Sequence, residues 1–268
     1  MPTQLCVLGG GVMGEALIAR LISLKTFAAE AIAVGDPSAA RRQFLVETYG
    51  IQATDNNQAA LTDAAVVLVA VKPQAFGKIV PDLQAAAHRQ TALLLSIMAG
   101  TPLATLEAAV TGWPVVRAMP NTPATVGAGM TAIAPGQAVN ADHLAQARTI
   151  FAAVGDVVEV PEHLINAVTG LSGSGPGYVA VMIEALADGG VAAGLPRATA
   201  LKLAIQTVRG TATLLQETDL HPAVLKDRVT SPGGTTIAGI SALEAGGVRT
   251  ALIQAVRAAC DRANELGA

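Results

Sequence analysis

Three glycines near the start of the chain, Gly9, Gly11 and Gly14, have the G-x-G-x-x-G spacing of a dinucleotide-binding turn. The phosphates of a dinucleotide require a tight turn, a close approach of the backbone and the N-terminus of a helix. The motif follows an apolar run at residues 4–8 and precedes a helical pattern. Asp36 ends the next predicted strand, where a carboxylate can hydrogen-bond a ribose hydroxyl. A purely structural glycine turn is the alternative, but this context favours a nucleotide site.

Two further segments follow predicted buried strands. Residues 70–73 (A-V-K-P) end one strand, and residues 118–123 (A-M-P-N-T-P) end another. Ligands of open α/β sheets bind outside the carboxyl ends of the strands, so Lys72 is expected to line the cofactor crevice. A lysine that merely ends a strand at the surface is the alternative. The two prolines that bracket Asn121 predict a rigid loop suited to holding a flat ring.

Two loops of small residues in the second half of the chain precede predicted helices. They span residues 172–177 (S-G-S-G-P-G) and 230–236 (T-S-P-G-G-T-T). Free N–H groups and hydroxyls at helix N-termini suit a carboxylate ligand, although helix capping with a tight turn would explain either loop alone. The histidines are scattered without metal-ligand spacing, so no metal is expected. A chemistry in which a cofactor performs the difficult step fits best.

Alternation of strand and helix in the first half predicts a doubly wound parallel sheet, the α/β Rossmann type. The apolar runs that predict strands lie at residues 4–8, 31–34, 64–71, 91–97 and 115–116. The run at 64–71 is continuous, as in a strand buried on both faces. Residues 38–49 predict a helix, and Thr101 with Pro102 predicts the capped start of another.

Helical spacing replaces this alternation after residue 161. Apolar stripes at residues 179–186, 201–215 and 252–263 predict three helices, and no strand-like run appears after Val160. The sequence therefore predicts a dinucleotide-binding Rossmann domain over residues 1–161 and a helical dimerisation and substrate domain over residues 162–268. The stripes offer more apolar surface than one small unit can cover, which predicts an obligate dimer.

Composition excludes several classes of function. The 268 residues are 14% charged with a net charge of −3 and no basic run, which argues against a nucleic-acid partner. The most apolar run ends at Lys72 after eight residues, far short of the roughly 20 that span a membrane. The N-terminus shows no signal-peptide pattern. The two cysteines, Cys6 and Cys260, are too few and too far apart to form a disulfide framework. We expect a cytoplasmic enzyme with a small-molecule substrate.

Taken together, the motifs resemble those of the pyrroline-5-carboxylate reductase family along essentially the whole chain. The strings that carry the resemblance are G-G-G-V-M-G, A-V-K-P, R-A-M-P-N-T-P, G-L-S-G-S-G-P-G-Y, D-G-G-V-A-A-G-L-P-R and L-K-D-R-V-T-S-P-G-G-T-T. The resemblance implies reduction of the ring C=N bond of 1-pyrroline-5-carboxylate to L-proline. It implies NADP(H) as cofactor, with NAD(H) also plausible because Asp36 stands where many relatives carry a small or basic residue. It further implies a homodimer or a higher oligomer such as a decamer.

The resemblance also implies a set of site residues. Thr236 is expected to be catalytic, with its hydroxyl hydrogen-bonded to the ring nitrogen. The expected substrate-binding residues are Glu162, Arg228, Ser231, Gly233, Gly234, Thr235 and Thr236. The expected cofactor-binding residues are Gly9, Gly10, Gly11, Val12, Met13, Gly14, Asp36, Asn57, Ala70, Val71, Lys72, Pro73, Ile97, Met98, Ala99, Met119, Pro120 and Asn121.

Two other functions remain open at this point. A β-hydroxyacid or 6-phosphogluconate dehydrogenase relative would share the nucleotide half but carries a catalytic lysine in the helical half. Lys202 and Lys226 do not match that pattern. A cofactor-sensing protein without turnover would not need the two small-residue loops, yet both are intact.

Overall fold

The computed structural model describes residues 4–88 and 91–267, and the first half of this chain alternates strand and helix as expected. The strands are β1 (Leu5–Leu8), β2 (Ile32–Gly35), β3 (Gln52–Thr54), β4 (Val66–Val69), β5 (Leu93–Ser96), β6 (Val115–Met119), β7 (Gly129–Pro135) and β8 (Gly155–Glu159). The helices of this half are α1 (Val12–Ser23), α2 (Ala39–Tyr49), α3 (Asn57–Leu61), α4 (Phe76–Ala87), α5 (Leu103–Ala109) and α6 (Ala141–Ala152).

The second half is helical, as the apolar stripes predicted. Its helices are α7 (Ile165–Val168), α8 (Gly175–Ala192), α9 (Arg197–Thr218), α10 (Pro222–Arg228), α11 (Thr235–Ala245) and α12 (Val248–Gly267). A π-helical turn, Thr169–Gly173, links α7 to α8. None of the helices among the described residues is long and apolar enough to cross a membrane.

The eight strands form one sheet in the order β3-β2-β1-β4-β5-β6-β7-β8. Neighbouring strands from β3 to β6 are parallel, which gives the expected Rossmann-type core. β7 pairs antiparallel with β6 and parallel with β8, so the sheet is predominantly parallel and the predicted parallel pairing stops at the β6–β7 boundary. β8 is an edge strand whose residues are all at least partly exposed, so it lacks the apolar run that marks a buried strand.

Both faces of the sheet are covered, and the alternation of side chains along each strand explains why. Cys6 and Leu8 of β1 belong to one buried cluster, while Leu5 and Val7 belong to the other. Successive side chains of a strand point to opposite faces, so a strand covered on both sides must be apolar throughout. The continuous apolar runs of the sequence follow from this packing.

The chain divides into two compact units, and the division falls after Ser174. The first unit contains the sheet, residues 162–174 and the end of α12 from Ala259 onwards. Ile165 is buried in the cluster on one face of the sheet, which explains why the segment after residue 161 belongs to the first unit. The second unit spans Gly175–Ala258.

The second unit has only a small core of its own. Its buried cluster consists of three alanines, Ala187, Ala200 and Ala204, where α8 meets α9. Large apolar side chains in the same unit are exposed, among them Val181 at 65%, Leu203 at 52% and Ile253 at 60%. Several positions of the predicted apolar stripes are exposed as well, among them Leu186 at 52% and Ile205 at 47%.

Candidate functional site

The turn after β1 has the backbone geometry of a phosphate-binding loop. Gly9 has φ of 100°, and a Cβ on it would lie 2.8 Å from the carbonyl oxygen of Ala70 at the end of β4. A Cβ on Gly14 would collide with the carbonyl oxygen of Gly9, which fixes how closely α1 approaches the turn. A Cβ on Gly11 would meet no atom within 4 Å, so space remains beside the N-terminus of α1. This open cradle fits the pyrophosphate of a dinucleotide.

Asp36 lies directly after β2 and is hydrogen-bonded to the glycine turn. Its Oδ2 accepts from the N–H of Gly10 at 2.9 Å, and its Oδ1 accepts from the N–H of Ser38 at 2.9 Å. Each carboxylate oxygen can accept more than one hydrogen bond, so Asp36 retains capacity for a ribose hydroxyl. Asn57, at the start of α3, donates from Nδ2 to Asp82 at 3.0 Å, and its Oδ1 lies beside Gly35.

The other expected cofactor residues of the sheet follow β4, β5 and β6 at their carboxyl ends. The strand order reverses between β1 and β4, which is where open α/β sheets bind nucleotides. Lys72 is exposed at this edge, immediately before Pro73 starts a 3₁₀ turn. The loop after β5 begins with a hydrogen bond from the N–H of Ile97 to the carbonyl of Val69, 3.1 Å long. Fold topology thus places residues 70–73, 97–99 and 119–121 along one edge of the sheet.

Asn121 joins three segments of the first unit. Its Nδ2 donates to the carbonyl oxygen of Ser172 at 3.0 Å, and its Oδ1 accepts from the N–H of Met130 at 2.9 Å. The loop after β6 is thereby tied to the start of β7 and to the π-helical turn. A Cβ on Gly173 would lie 2.9 Å from the terminal methyl of Met119, so the same two segments also pack closely.

Glu162 accepts hydrogen bonds from within the first unit. Its Oε1 accepts from the N–H of Leu103 at 2.5 Å and from a terminal nitrogen of Arg117 at 3.2 Å. Pro102 occupies the N-cap of α5 without a side-chain hydrogen bond, so the expectation that Thr101 caps this helix is wrong. Glu162 instead supplies the acceptor at the first turn of α5. Arg117 is 5% exposed, and this carboxylate offsets its buried charge.

The loop before α11 has the features of a carboxylate-binding turn. Gly233 has φ of 67°, a left-handed conformation that glycine adopts without strain. Gly234 is the N-cap of α11, and a Cβ on it would collide with Oγ of Ser231. Thr235 and Thr236 are the first two residues of the helix, so the N–H groups of its first turn have no intrahelical acceptor. Thr236 is half-buried and does not occupy the cap position, which removes capping as the explanation for its hydroxyl.

In the described part of the chain, the side chain of Arg228 shows no hydrogen bond or ion pair with the other expected substrate-binding residues. Arg228 is exposed at the last residue of α10. Among residues 4–88 and 91–267, no group of three or more His, Cys, Asp and Glu side chains is placed to hold a metal ion. Sequence patterns did not indicate Arg117, a buried cation among the described residues of the first unit, because an arginine inside a strand pattern carries no local signal of its partner.

Two family descriptions match the chain. Residues 162–266 match the family described as pyrroline-5-carboxylate reductase dimerisation. Residues 4–100 match the family described as NADP oxidoreductase, coenzyme F420-dependent. The two matches fall on the helical half and on the first strands of the sheet.

Similar proteins cover the whole chain. A pyrroline-5-carboxylate reductase from Synechocystis is 58% identical over 267 residues, which cover 100% of this chain and 99% of the relative. A solved pyrroline-5-carboxylate reductase from Coxiella burnetii has a TM-score of 0.93, 34% identity and 100% coverage of both chains. A solved pyrroline carboxylate reductase from Plasmodium falciparum with NADP bound has a TM-score of 0.88 and 29% identity, with 99% of this chain and 98% of that chain covered.

The contacts of Glu162 predict a stabilising role that can be measured. Glu162→Ala removes the acceptor of the Leu103 N–H and leaves Arg117 buried without its carboxylate. Because Glu162 is partly exposed, we expect a loss of about 2 kcal/mol in the free energy of unfolding, measured by urea denaturation. Glu159→Ala is the matched control, since the Glu159 pair with Arg148 is 39% and 43% exposed. It should cost below about 1 kcal/mol. Equal stability of Glu162→Ala and the parent chain would contradict this role.

Proposed function

The chain belongs to the pyrroline-5-carboxylate reductase family, and we propose that its glycine turn binds the cofactor while its loop before α11 binds the substrate. Enzymes of this family catalyse the last step of proline biosynthesis, the reduction of 1-pyrroline-5-carboxylate to L-proline, and this chain is such an oxidoreductase, with NADP(H) as its cofactor. The observation that carries the activity is the 58% identity to a pyrroline-5-carboxylate reductase over 100% of this chain. An assay with 1-pyrroline-5-carboxylate that follows nicotinamide absorbance tests it directly, and absence of turnover would revive the sensing alternative.

The cofactor proposal follows from the open cradle of the first unit. Residues 9–14 hold the pyrophosphate, Asp36 and Asn57 lie at the adenosine end, and residues 70–73, 97–99 and 119–121 line the nicotinamide end. When bound, the cofactor supplies the hydride that reduces the C=N bond. The chain itself has to bind this group at the sheet edge, exclude water and keep the loop after β6 rigid. Asn121 contributes to rigidity through its hydrogen bonds to Ser172 and Met130.

The substrate proposal follows from the free N-terminus of α11. The ring carboxylate is held by N–H groups of the first turn and by the loop of Ser231, Gly233, Gly234 and Thr235, where the helix dipole favours an anion. The hydroxyl of Thr236 hydrogen-bonds the ring nitrogen. A protonated cyclic iminium is already electrophilic, so orientation is the main task of these groups. Arg228 adds positive charge to the same unit. Glu162, which we expected at the substrate, uses Oε1 for Leu103 and Arg117.

The family match of the helical half indicates a homo-oligomer, and we propose that the basic assembly is a dimer. The exposed apolar side chains of the second unit support this proposal, because its small core of alanines leaves most of its large apolar side chains uncovered. Dimers can assemble further, up to a decamer. We also propose a cytoplasmic location, which suits a chain whose two cysteines, Cys6 and Cys260, are both free thiols.

The role of Thr236 can be separated from a packing role. Thr236→Val keeps the shape of the side chain and removes the hydroxyl. We expect kcat/KM for 1-pyrroline-5-carboxylate to fall by roughly one to two orders of magnitude, about 1.4–2.8 kcal/mol. Binding of NADP⁺, measured by calorimetry, should stay nearly unchanged because the cradle is in the first unit.

Thr250→Val is a suitable control for Thr236→Val. Thr250 is exposed in the first turn of α12, so this change removes a hydroxyl near a helix start without touching the proposed substrate loop. Full activity of Thr236→Val with a lowered Tm would remove Thr236 from the catalytic residues.

The carboxylate of Asp36 leads us to expect that the enzyme uses both NADH and NADPH. This carboxylate can accept from the ribose 2′-hydroxyl of NADH and repels the 2′-phosphate of NADPH. Asp36→Ser should therefore raise kcat/KM with NADPH relative to NADH by about tenfold, roughly 1.4 kcal/mol. The ratio of the two efficiencies is the measurement, and Tm shows whether the turn keeps its structure. An unchanged ratio would mean that Asp36 does not face the ribose.

The dimer proposal predicts a mass of at least about twice the 26.9 kDa of the chain, in even multiples, by light scattering at micromolar concentration. Leu203→Asp places a charge on an exposed apolar face of the second unit and should shift the population towards monomer. Val126→Asp is the control, because Val126 is 76% exposed in the first unit. A stable, active monomer of the parent chain would end this proposal.

A further inference from the structure

A cluster of three side chains, Glu15, Arg41 and Tyr49, lies beside the glycine turn. A terminal nitrogen of Arg41 pairs with Oε2 of Glu15, and Nε of Arg41 donates to the carbonyl oxygen of Gly10. The hydroxyl of Tyr49 donates to Oε1 of Glu15 at 2.8 Å. The side chains of Arg41 and Glu15 are 26% and 25% exposed, so solvent screens this pair less than it screens a surface pair. We call these three residues the Glu15 cluster.

The Glu15 cluster holds a full negative charge against Arg41. Partial burial raises the pKa of Glu15, but hydrogen bonds from Arg41 and Tyr49 together with the charge of Arg41 outweigh it, and the net pKa lies below its ordinary value. The guanidinium also lies 5.0 Å from the ring centroid of Phe44. Arg41 is therefore held in one position, and its charge is compensated by Glu15.

One peptide connects this cluster to Asp36. The N–H of Gly10 donates to Oδ2 of Asp36 at 2.9 Å, while the carbonyl of the same residue accepts from Arg41. Asp36 occupies the position at which Rossmann-type domains distinguish a ribose 2′-hydroxyl from a 2′-phosphate. Arg41 is thus a cation bound directly to the glycine turn, at the same residue that binds Asp36. A guanidinium retains further N–H donors when two of its nitrogens are engaged.

Arg42 is less suited to the same task. One terminal nitrogen donates to the main-chain carbonyl of Asp36 at 2.8 Å, and the other pairs with Asp55 at 3.3 Å. Asp55 is 70% exposed, so water already screens its charge. Breaking the pair between Arg42 and Asp55 would therefore free little positive charge for a ligand. Breaking the pair between Arg41 and Glu15 would free much more.

We propose that Glu15 competes with the 2′-phosphate of NADP(H) for the guanidinium of Arg41, and that the Glu15 cluster thereby sets the preference between NADP(H) and NAD(H). Tyr49 orients Glu15 through the hydrogen bond from its hydroxyl to Oε1. This inference rests on the proposed cofactor role of the glycine turn and Asp36. Glu15 contacts no part of the cofactor itself and is a positioning residue.

Binding of two nucleotides that differ only in the 2′-phosphate tests this proposal. The probes are adenosine 2′,5′-bisphosphate and adenosine 5′-monophosphate, titrated calorimetrically into the intact protein. Glu15→Gln removes the charge and keeps one acceptor oxygen for Arg41, while the new amide nitrogen can donate to the hydroxyl oxygen of Tyr49. We expect it to lower the Kd of the bisphosphate about fivefold and to leave the Kd of the monophosphate within about twofold.

Glu47→Gln is the matched control for charge. Glu47 lies on α2 and accepts a hydrogen bond from Gln43 at 2.8 Å, so this change removes one carboxylate from the same helix that carries Arg41. Its two Kd values should equal those of the parent chain. An equal shift in Glu47→Gln and Glu15→Gln would overturn the proposal, because net charge alone would then explain the effect.

Arg41→Gln keeps the proposal testable if Glu15→Gln disturbs the fold. This variant should weaken the bisphosphate at least fivefold and spare the monophosphate, and the double variant with Glu15→Gln should show no gain over Arg41→Gln alone. A gain that persists without Arg41 would overturn the competition. If the parent chain binds neither nucleotide, the proposed cofactor site itself fails. If it binds both and Glu15→Gln leaves their ratio unchanged, only the role of Glu15 fails.

Discussion

The close approach between the turn after β1 and the end of β4 is the constraint on which the first unit depends. Leu8 and Val69 are paired in register at the ends of these two strands, and Gly9 then passes against the carbonyl of Ala70 where no Cβ fits. The chain can turn into α1 at this point only because residue 9 has a positive φ and no side chain. The same turn leaves the N-terminus of α1 open and places it at the edge where the strand order reverses.

The main-chain groups of this turn also organise the charges around it. Gly10 donates to Asp36 and accepts from Arg41, so a single peptide holds an anion and a cation on opposite sides. Glu162 is similar, because its Oε1 accepts hydrogen bonds both from the N–H of Leu103 at the start of α5 and from the buried Arg117. In both places the partly buried charged groups are compensated by each other or by backbone groups.

The second unit poses a different physical problem. Its own core is formed by three alanines, and side chains such as Leu203 and Ile253 remain exposed. Exposed apolar faces of this extent mark surfaces that associate with another molecule. The high hydrophobic content of the chain, 51%, thus has two causes: a sheet covered on both faces and helices whose apolar stripes are not covered by their own unit.

Local patterns determined the central strands, the long helices and the glycine turn. The strands β1, β2, β4 and β5 could be predicted from apolar runs because burial on both faces demands apolar residues at every position. The turn was legible because its glycines are required by backbone geometry within a few residues. The small-residue loop before α11 was predictable for the same reason. The expectation of a second loop at residues 172–177 is wrong, because these residues form the end of the π-helical turn, a bend at Ser174 and the first turn of α8.

Only the tertiary structure decided the antiparallel pairing of β7, the edge strand β8 and the partners of the polar side chains. β8 is half-exposed, so its residues carry no continuous apolar signal, and its place depends on the register with β7. Glu162 lies 59 positions from Leu103, and Arg41 lies 26 positions from Glu15. Such contacts are formed by the packing of distant elements. The free energy of burying a carboxylate therefore depends on which cation that packing brings next to it. The residue types were visible in the sequence, but the pairs were not, because pairing is a property of the folded chain.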